Sequence, residues 1–448
     1  MFATLLFAFP LLASLLALIV KDKRKLDILI LLHALLHLCL GLQGFIYRGS
    51  LGMMDDMGLF IFLITSLLFM AVAFYRIGGG KEYSYKAYRV QSIFLMLFIA
   101  AMDAACMAKD LGWIWIFVEA TTISSAMLIS SENTKSSLEA AWKYLFICSV
   151  GIALAFVGIL LLVLAQPENA VLSLAKINAA TLSPFWLKLS FIFILVGFGT
   201  KIGLAPLHFW LPDAHSEAPA PISALLSGAL LNTALLPVLR VDKIMRAAGM
   251  GNLAQDLYLL MGVISVFIAT VFILKTRNYK RLLAYSSIEN MGLIMIAFGA
   301  GGVAIYAGFL HILGHSLIKA ALFLTAGNIL SLYHDKQHAN ISGLWSMNKS
   351  TAWLWMIALV MILGFPPSPL FVSKFFIISG LIASGHIAMV IALILMLAAI
   401  AWSMIRIGLN MCSGDKKEHR VLPLWTYLSP SALLLIAAIV GVWLPNFK

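Results

Sequence analysis

Charge is what this chain has least of. Only 11% of its 448 residues are Asp, Glu, Lys or Arg, against 62% hydrophobic, whereas an ordinary soluble domain runs about 25% charged and about half apolar. A soluble globular protein is thereby excluded, and the gaps between apolar runs leave no room for a soluble domain. Cysteine is scarce as well. Cys39, Cys106, Cys148 and Cys412 stand apart with no C-x-x-C, which argues against disulfides, iron–sulfur clusters and zinc. No metal site, no bound cofactor and no catalytic residue is expected in the chain, so a stand-alone enzyme is the weakest reading. The N-terminal apolar run has no basic segment before it and no convincing small-residue cleavage site, so it reads as a retained first helix.

What is present is apolar sequence in spans of membrane-crossing length. At about 20 apolar residues per span the candidates are 2–20, 26–46, 57–76, 88–108, 110–130, 138–165, 184–204, 219–241, 254–275, 282–300, 303–332, 351–384, 386–410 and 427–444. The expected fold is an all-α polytopic membrane protein of about 14 transmembrane helices. The net charge of +12 would suggest nucleic acid, but its placement points to topology. In alternate loops 19 Lys and Arg fall on one side (Lys21 to Lys25, Arg76 to Arg89, Lys135, Lys275 to Arg281, Lys336, Lys349 and Arg406 to Arg420). Eight fall on the other: Arg48, Lys109, Lys176, Lys188, Arg240, Lys243, Arg246 and Lys448. The richer side is cytoplasmic by the positive-inside rule, which puts both termini outside.

Two spans carry breaks. Lys201-Ile202-Gly203-Leu204-Ala205-Pro206 interrupts the seventh, and Pro366-Pro367-Ser368-Pro369 the twelfth, five residues before Lys374. Proline removes a backbone donor, and broken helices persist in membranes where they are buried or line a wet cavity. Glu119 to Lys201 is 82 residues and Glu289 to Lys374 is 85. This repeated Glu-then-Lys pattern, five spans apart, predicts two inverted five-helix repeats. The division is then 1–87, 88–241, 254–410 and 427–448.

The charges left inside apolar runs are the candidate functional residues, since each costs about 3 kcal/mol at a bilayer centre. Glu119 lies mid-span, where a neutral core glutamate competes with a carboxylate paired to lysine. Lys201 and Lys374 adjoin the breaks, where snorkelling competes with burial. Burial disfavours an ammonium and a nearby carboxylate favours it, so opening or closing such a pair would move a proton. His311, His315 and Lys319, spaced by four residues, share one helix face and suggest a relay, with core packing or a metal as competitors. Glu289 and Lys143 are further proton-transfer candidates. His33 and His37 read as packing, Asp103 as an interfacial residue near a helix end. His208, Asp213, His215 and Glu217 read equally as a polar vestibule or a solvated loop.

The segment Thr200-Lys201-Ile202-Gly203-Leu204-Ala205-Pro206-Leu207-His208-Phe209-Trp210-Leu211-Pro212-Asp213-Ala214-His215 resembles the antiporter-like membrane subunits of respiratory complex I, multisubunit cation/proton antiporters and energy-converting membrane hydrogenases. With Ser216 to Leu225, Tyr285 to Gly292 and His311 to Lys319, it looks most like the F subunits of hydrogenase 4. The resemblance implies a fourteen-helix fold with inverted repeats. It places the fifth-helix glutamate on Glu119, the seventh-helix lysine on Lys201, the central histidines and lysine on His311, His315 and Lys319, and the twelfth-helix lysine on Lys374. The chain departs at Asn232, where several relatives carry a basic residue, and at Ile288-Glu289-Asn290, where relatives have serine-histidine. It stops four residues after the last span, so the most distal complex I subunit, with its long lateral helix, is not the expected relative.

The expectation is a multi-pass subunit of the cytoplasmic (inner) membrane that translocates protons within a hydrogenase-4 or NADH:quinone oxidoreductase type of complex. Protons would enter near Lys201 and Glu119, pass Lys319, His315 and His311, and leave by Lys374. Its partners would be other membrane subunits, nickel–iron or iron–sulfur hydrophilic subunits reached through them, and the lipid bilayer. The alternatives are a subunit of a Na+/H+ antiporter and a scaffold that no longer pumps.

Overall fold

The computed structural model describes residues 2–47, 54–78, 84–167, 170–415 and 418–443. Arg48, Lys81, Lys416, Lys417 and Lys448 of the charge count, and the end of the last predicted span, lie outside the described residues. In chain order the helices are α1 (Phe2–Ile19), α2 (Lys23–Ile46), α3 (Asp56–Gly78), α4 (Tyr85–Met107), α5 (Leu111–Ile129), α6 (Lys135–Leu164) and α7 (Pro184–Ile202). They continue as α8 (Trp210–Glu217), α9 (Ala220–Leu225), α10 (Leu231–Ala247), α11 (Gly251–Lys275), α12 (Tyr279–Ala300) and α13 (Val303–Tyr333). Last come α14 (Leu344–Met347), α15 (Lys349–Leu363), α16 (Pro369–Ala383), α17 (Ile387–Cys412) and α18 (Trp425–Val442). Among the described residues no strand forms, and 12 helices are long and apolar enough to cross a membrane. Ala8–Ile19, α15 and α16 are shorter apolar helices.

Caps explain where the helices begin. Asp110 accepts from Gly112 N at 2.9 Å before α5, Thr134 and Ser137 form a capping box on α6, and Asn278 accepts from Lys280 N and Arg281 N at the start of α12. Each satisfies backbone donors that a helix leaves open at its first turn. Both predicted breaks are present. α7 stops at Gly203, with φ 80°, and α15 at Gly364, with φ 89°, a left-handed conformation that costs other residues about 1–2 kcal/mol. Ser368 then caps α16 by accepting from Leu370 N at 3.1 Å, with Pro369 at a first-turn position where its missing N–H is harmless. A further irregularity carries no proline: residues 226–230, between α9 and α10 and centred on Gly228, are π-helical.

The chain divides into two units. The first comprises Met1–Met70, Tyr83–Trp210 and Ala229–Leu257, the second Ala71–Glu82, Leu211–Gly228 and Tyr258–Lys448. Leu6, Leu40, Ile61, Phe62, Cys106 and Leu236 pack together in the first, and Leu259, Val266, Leu293, Ile296, Ile377 and Leu381 in the second. Polarity is turned inside out relative to a soluble protein. Trp142 and Phe146 are each 72% exposed while Lys201 and Lys319 are 0% exposed. Lipid tails solvate apolar side chains as well as leucine does, so the outer surface needs no polar coat and the interior can hold the charges.

Candidate functional site

In the first unit, three helices assemble a carboxylate and an ammonium around one hydroxyl. α5 carries Glu119 in mid-helix, half-buried, and Thr122 one turn on. α6 supplies Ser149, whose Oγ donates to Glu119 Oε1 at 2.8 Å. Thr122 Oγ1 donates to Glu119 Oε2 at 3.0 Å. Lys201, in the last turn of α7, donates to Thr122 Oγ1 and to Val118 O at 3.3 Å, with its Nζ 5.4 Å from the Tyr144 ring centroid. Thr122 therefore receives a hydrogen bond from the lysine and gives one to the glutamate. Proton transfer along this line is balanced: the ammonium passes a proton to the threonine oxygen as the threonine proton passes to Glu119 Oε2. The break after α7 fixes the lysine, because Trp210 Nε1 donates to Thr200 O at 2.8 Å.

In the second unit the pairing is direct. Lys374 on α16 reaches Glu289 Oε1 on α12 at 3.4 Å, with side-chain exposures of 11% and 2%. The same Nζ donates to Leu363 O at 3.1 Å, the carbonyl end of α15, where a cation is favoured by the helix dipole. α13 carries His311, His315 and Lys319, all 0% exposed. His311 is held by Asn290 Oδ1 at 3.0 Å and Ser373 Oγ at 2.9 Å, and these two residues directly follow and precede Glu289 and Lys374. Lys319 donates to Leu283 O at 2.6 Å and to Ser286 Oγ. Neither ring nitrogen of His315 has a hydrogen-bond partner. The three α13 residues share a face as the spacing predicts, yet His311 and Lys319 are fastened to different neighbours.

The Pro-rich connection is a pinned structure. Arg281 pairs with Asp213, Lys336 with Glu217 at 2.9 Å, and Lys280 donates to Ala218 O at 2.6 Å. His215 is 0% exposed and stacks on Phe323 at 4.9 Å, so a solvated loop does not describe it. Lys143 stands on the outer face of α6, 47% exposed and paired with Glu139 at 2.7 Å, separate from Glu119 and Lys201. Asn232 is fully buried on α10. Thr122, Ser149, Ser286, Asn290 and Ser373 are the residues that sequence reasoning missed. The only signal available was the hydroxyl-rich run Thr121, Thr122, Ser124 and Ser125 following Glu119.

Comparison with known proteins fits this architecture. A family model described as NADH:quinone oxidoreductase/Mrp antiporter, TM, matches residues 108–400. The chain is 35% identical over 417 residues to a Hydrogenase-4 component F homolog of Methylacidiphilum infernorum (isolate V4), covering 89% of this chain and 86% of that protein. It is 29% identical over 390 residues to Hydrogenase-4 component B of Escherichia coli (strain K12), of which it spans 58%. Among solved structures, a chain of the membrane-bound sulfane sulfur reductase, an archaeal respiratory membrane complex, matches with TM-score 0.90 at 22% identity, covering 98% of this chain and 94% of that one. That last likeness is one of fold.

Proposed function

The chain belongs to the NADH:quinone oxidoreductase/Mrp antiporter membrane family, and from that premise we propose that it is the proton-translocating arm of a redox-driven complex of the hydrogenase-4 type. Its neighbours would be other membrane subunits, with nickel–iron or iron–sulfur subunits supplying the driving reaction. It would sit in the cytoplasmic membrane with both termini outside. The observation that carries the reading is Lys201, buried at 0% exposure and joined to Glu119 through Thr122. An ammonium kept in an apolar bundle next to a hydroxyl and a carboxylate is poised to exchange a proton.

In the first unit Glu119, Thr122 and Lys201 form the exchanging group, with Lys143 at its entry, about 9 Å along α6 from Ser149 by helical rise. In the second, Glu289, Lys374, Lys319, His315 and His311 carry the proton. The energies are adequate. Moving one charge against about 100 mV costs about 2.3 kcal/mol. Opening a pair at ~4 Å and an effective dielectric of ~20 changes the energy by about 4 kcal/mol. Lys201→Ala is expected to abolish proton movement, measured in inverted membrane vesicles, while the complex still assembles. Proton yield retained in that variant would overturn the role.

The sodium/proton antiporter reading keeps the same residues and replaces electron transfer by a sodium gradient; acidification of vesicles driven by sodium alone would favour it. A scaffold that no longer pumps has Asn232 in its favour, and predicts normal proton yield when Lys201 and Lys374 are both replaced.

A further inference from the structure

Three residues that the sequence leaves unconnected meet inside the first unit. His37 on α2 is 1% exposed and Asp103 on α4 is 1% exposed. His37 Nε2 lies 2.8 Å from Asp103 Oδ1, and its Nδ1 lies 2.7 Å from Ser66 Oγ on α3. Ser66 Oγ is also placed to donate to Phe62 O at 2.9 Å. Neither Glu/Lys grouping includes any of these residues. Asp103 is not the interfacial residue its position near the end of α4 suggests.

We propose that His37, Asp103 and Ser66 form a further proton-holding site, built so that one proton is bound or released while both ring nitrogens of His37 keep their hydrogen bonds, the Ser66 hydroxyl giving up Phe62 O when it turns to Nδ1. A serine hydroxyl has one proton to give and two acceptors here, Phe62 O and His37 Nδ1. When Ser66 donates to Phe62 O, its oxygen accepts from a protonated Nδ1. One further proton then lies between Nε2 and Asp103 Oδ1, and the pair is neutral overall. When His37 gives up the Nδ1 proton, the Ser66 hydroxyl turns to donate to the bare Nδ1, and Nε2–H remains on the Asp103 carboxylate. The pair then carries one negative charge. The heavy atoms need not move; one hydroxyl rotates and one proton leaves.

The surroundings favour exchange over a fixed structural bond. Asp103 Oδ2 is buried without a hydrogen-bond partner, as is Nδ1 of His33, one helical turn from His37 with ring centroids 6.3 Å apart. Buried polar atoms are ordinarily satisfied, so two orphans beside the pair mark where a proton carrier would bond. Among the described residues the groups that face His37 are few. α1 presents the Phe9 ring to His33 at 5.5 Å, and α3 presents Ser66, Phe69 and Phe62, the last stacked on His37 at 4.3 Å. α4 presents Asp103 and the buried Cys106. At the end of α4, Arg240 donates to Cys106 O at 2.8 Å and to Asp55 Oδ1 at 2.6 Å, which covers that end with a paired charge. His33, His37 and Asp103 do not converge as a metal cage would. The Ser–His–Asp order is also that of a hydrolase, but Ser66 is 0% exposed and no substrate could reach it.

The test uses the full chain in lipid bilayers with isotopically labelled histidine, read by solid-state nuclear magnetic resonance across pH. His37 is identified by the signal lost in His37→Gln. His37 is expected to exchange one proton at Nδ1 while Nε2–H persists. Asp103→Asn keeps an acceptor for Nε2–H but removes the charge that favours imidazolium, so its midpoint should fall by about 1–3 pH units. Ser66→Ala removes the acceptor of the charged Nδ1–H and should lower the midpoint by less; as a single-hydroxyl deletion it serves if Asp103→Asn fails to fold. A His37 that keeps one protonation state throughout overturns the proposal, and so does a midpoint unmoved in the variants. A packing role alone moves no midpoint.

Discussion

In the first unit a threonine hydroxyl stands between Glu119 and Lys201; in the second, Lys374 touches Glu289 at 3.4 Å with nothing between. The same two residue types, spaced almost equally along the sequence, thus sit in two electrostatic states. A direct pair holds its proton by Coulomb attraction and must be opened to release it. A bridged pair has its charges already apart, and the hydroxyl offers a path for the proton. The comparison teaches that a Glu-then-Lys pattern specifies the participants, while a neighbouring polar residue decides whether the pair is closed or connected.

Removing the bridge is the sharpest way to break the comparison. Thr122→Val keeps the shape of the side chain and deletes its hydroxyl, so Lys201 and Glu119 lose their link. Proton flux in vesicles should fall about 100-fold, the scale on which a positioned proton-transfer group acts, and Thr122→Ser should restore most of it. Unchanged flux in the valine variant would mean that the proton passes Thr122 by. A threonine chosen for packing alone would accept valine and would not be rescued by serine.

The second test separates the two pairs by stability. Glu289→Gln leaves a buried ammonium facing a neutral amide, and breaking a buried pair in this way costs about 3 kcal/mol or more. Glu119 is half-buried and its partners are hydroxyls, so Glu119→Gln should cost nearer 1 kcal/mol. Thermal unfolding in detergent should therefore show a clearly larger loss for the Glu289 variant. Equal losses would remove the distinction between a closed and a bridged pair.

The charges of both sites were legible in the sequence because an ionised side chain in an apolar run has few explanations. The breaks were legible because proline and glycine declare their backbone consequences. The hydroxyls were not. Serine and threonine in a membrane helix commonly bond back to a carbonyl one turn earlier, as Ser316 does to Ile312 O at 2.6 Å and Thr325 to Ala321 O at 2.8 Å. Only its place in the hydroxyl-rich run after Glu119 separates Thr122 from these. The π-helical turn at 226–230 carries no proline to announce it, and Asp103 misled because its position four residues from the end of α4 says nothing of what covers that end.

The helix breaks allow a finer cut. An alanine at Gly364 must take a left-handed φ of 89°, at about 1–2 kcal/mol. Its Cβ would also lie 3.1 Å from Lys374 Cδ. Gly364→Ala should therefore weaken both stability and proton flux, because the lysine must shift from Glu289. Gly203→Ala carries similar φ strain. If Gly364→Ala lowered the unfolding temperature and left flux intact, the position of Lys374 against Glu289 would not matter to transfer.

Lys143 gives the smallest expected effect, and its replacement tests where the proposed path of the first unit begins. It is paired with Glu139 on the exposed face of α6, and exposed pairs of this spacing contribute little to stability. An entry residue there would hand protons on toward Ser149 and Glu119 without being the group that holds them. Lys143→Ala should then reduce flux about twofold, far less than loss of a positioned proton-transfer group, with assembly and unfolding temperature unchanged. A complete loss would place Lys143 in the same obligatory line as Lys201 and lengthen the bridged path of the first unit. No change at all would end that path at Ser149 and Glu119, leaving the Lys143–Glu139 pair as part of the outer face alone.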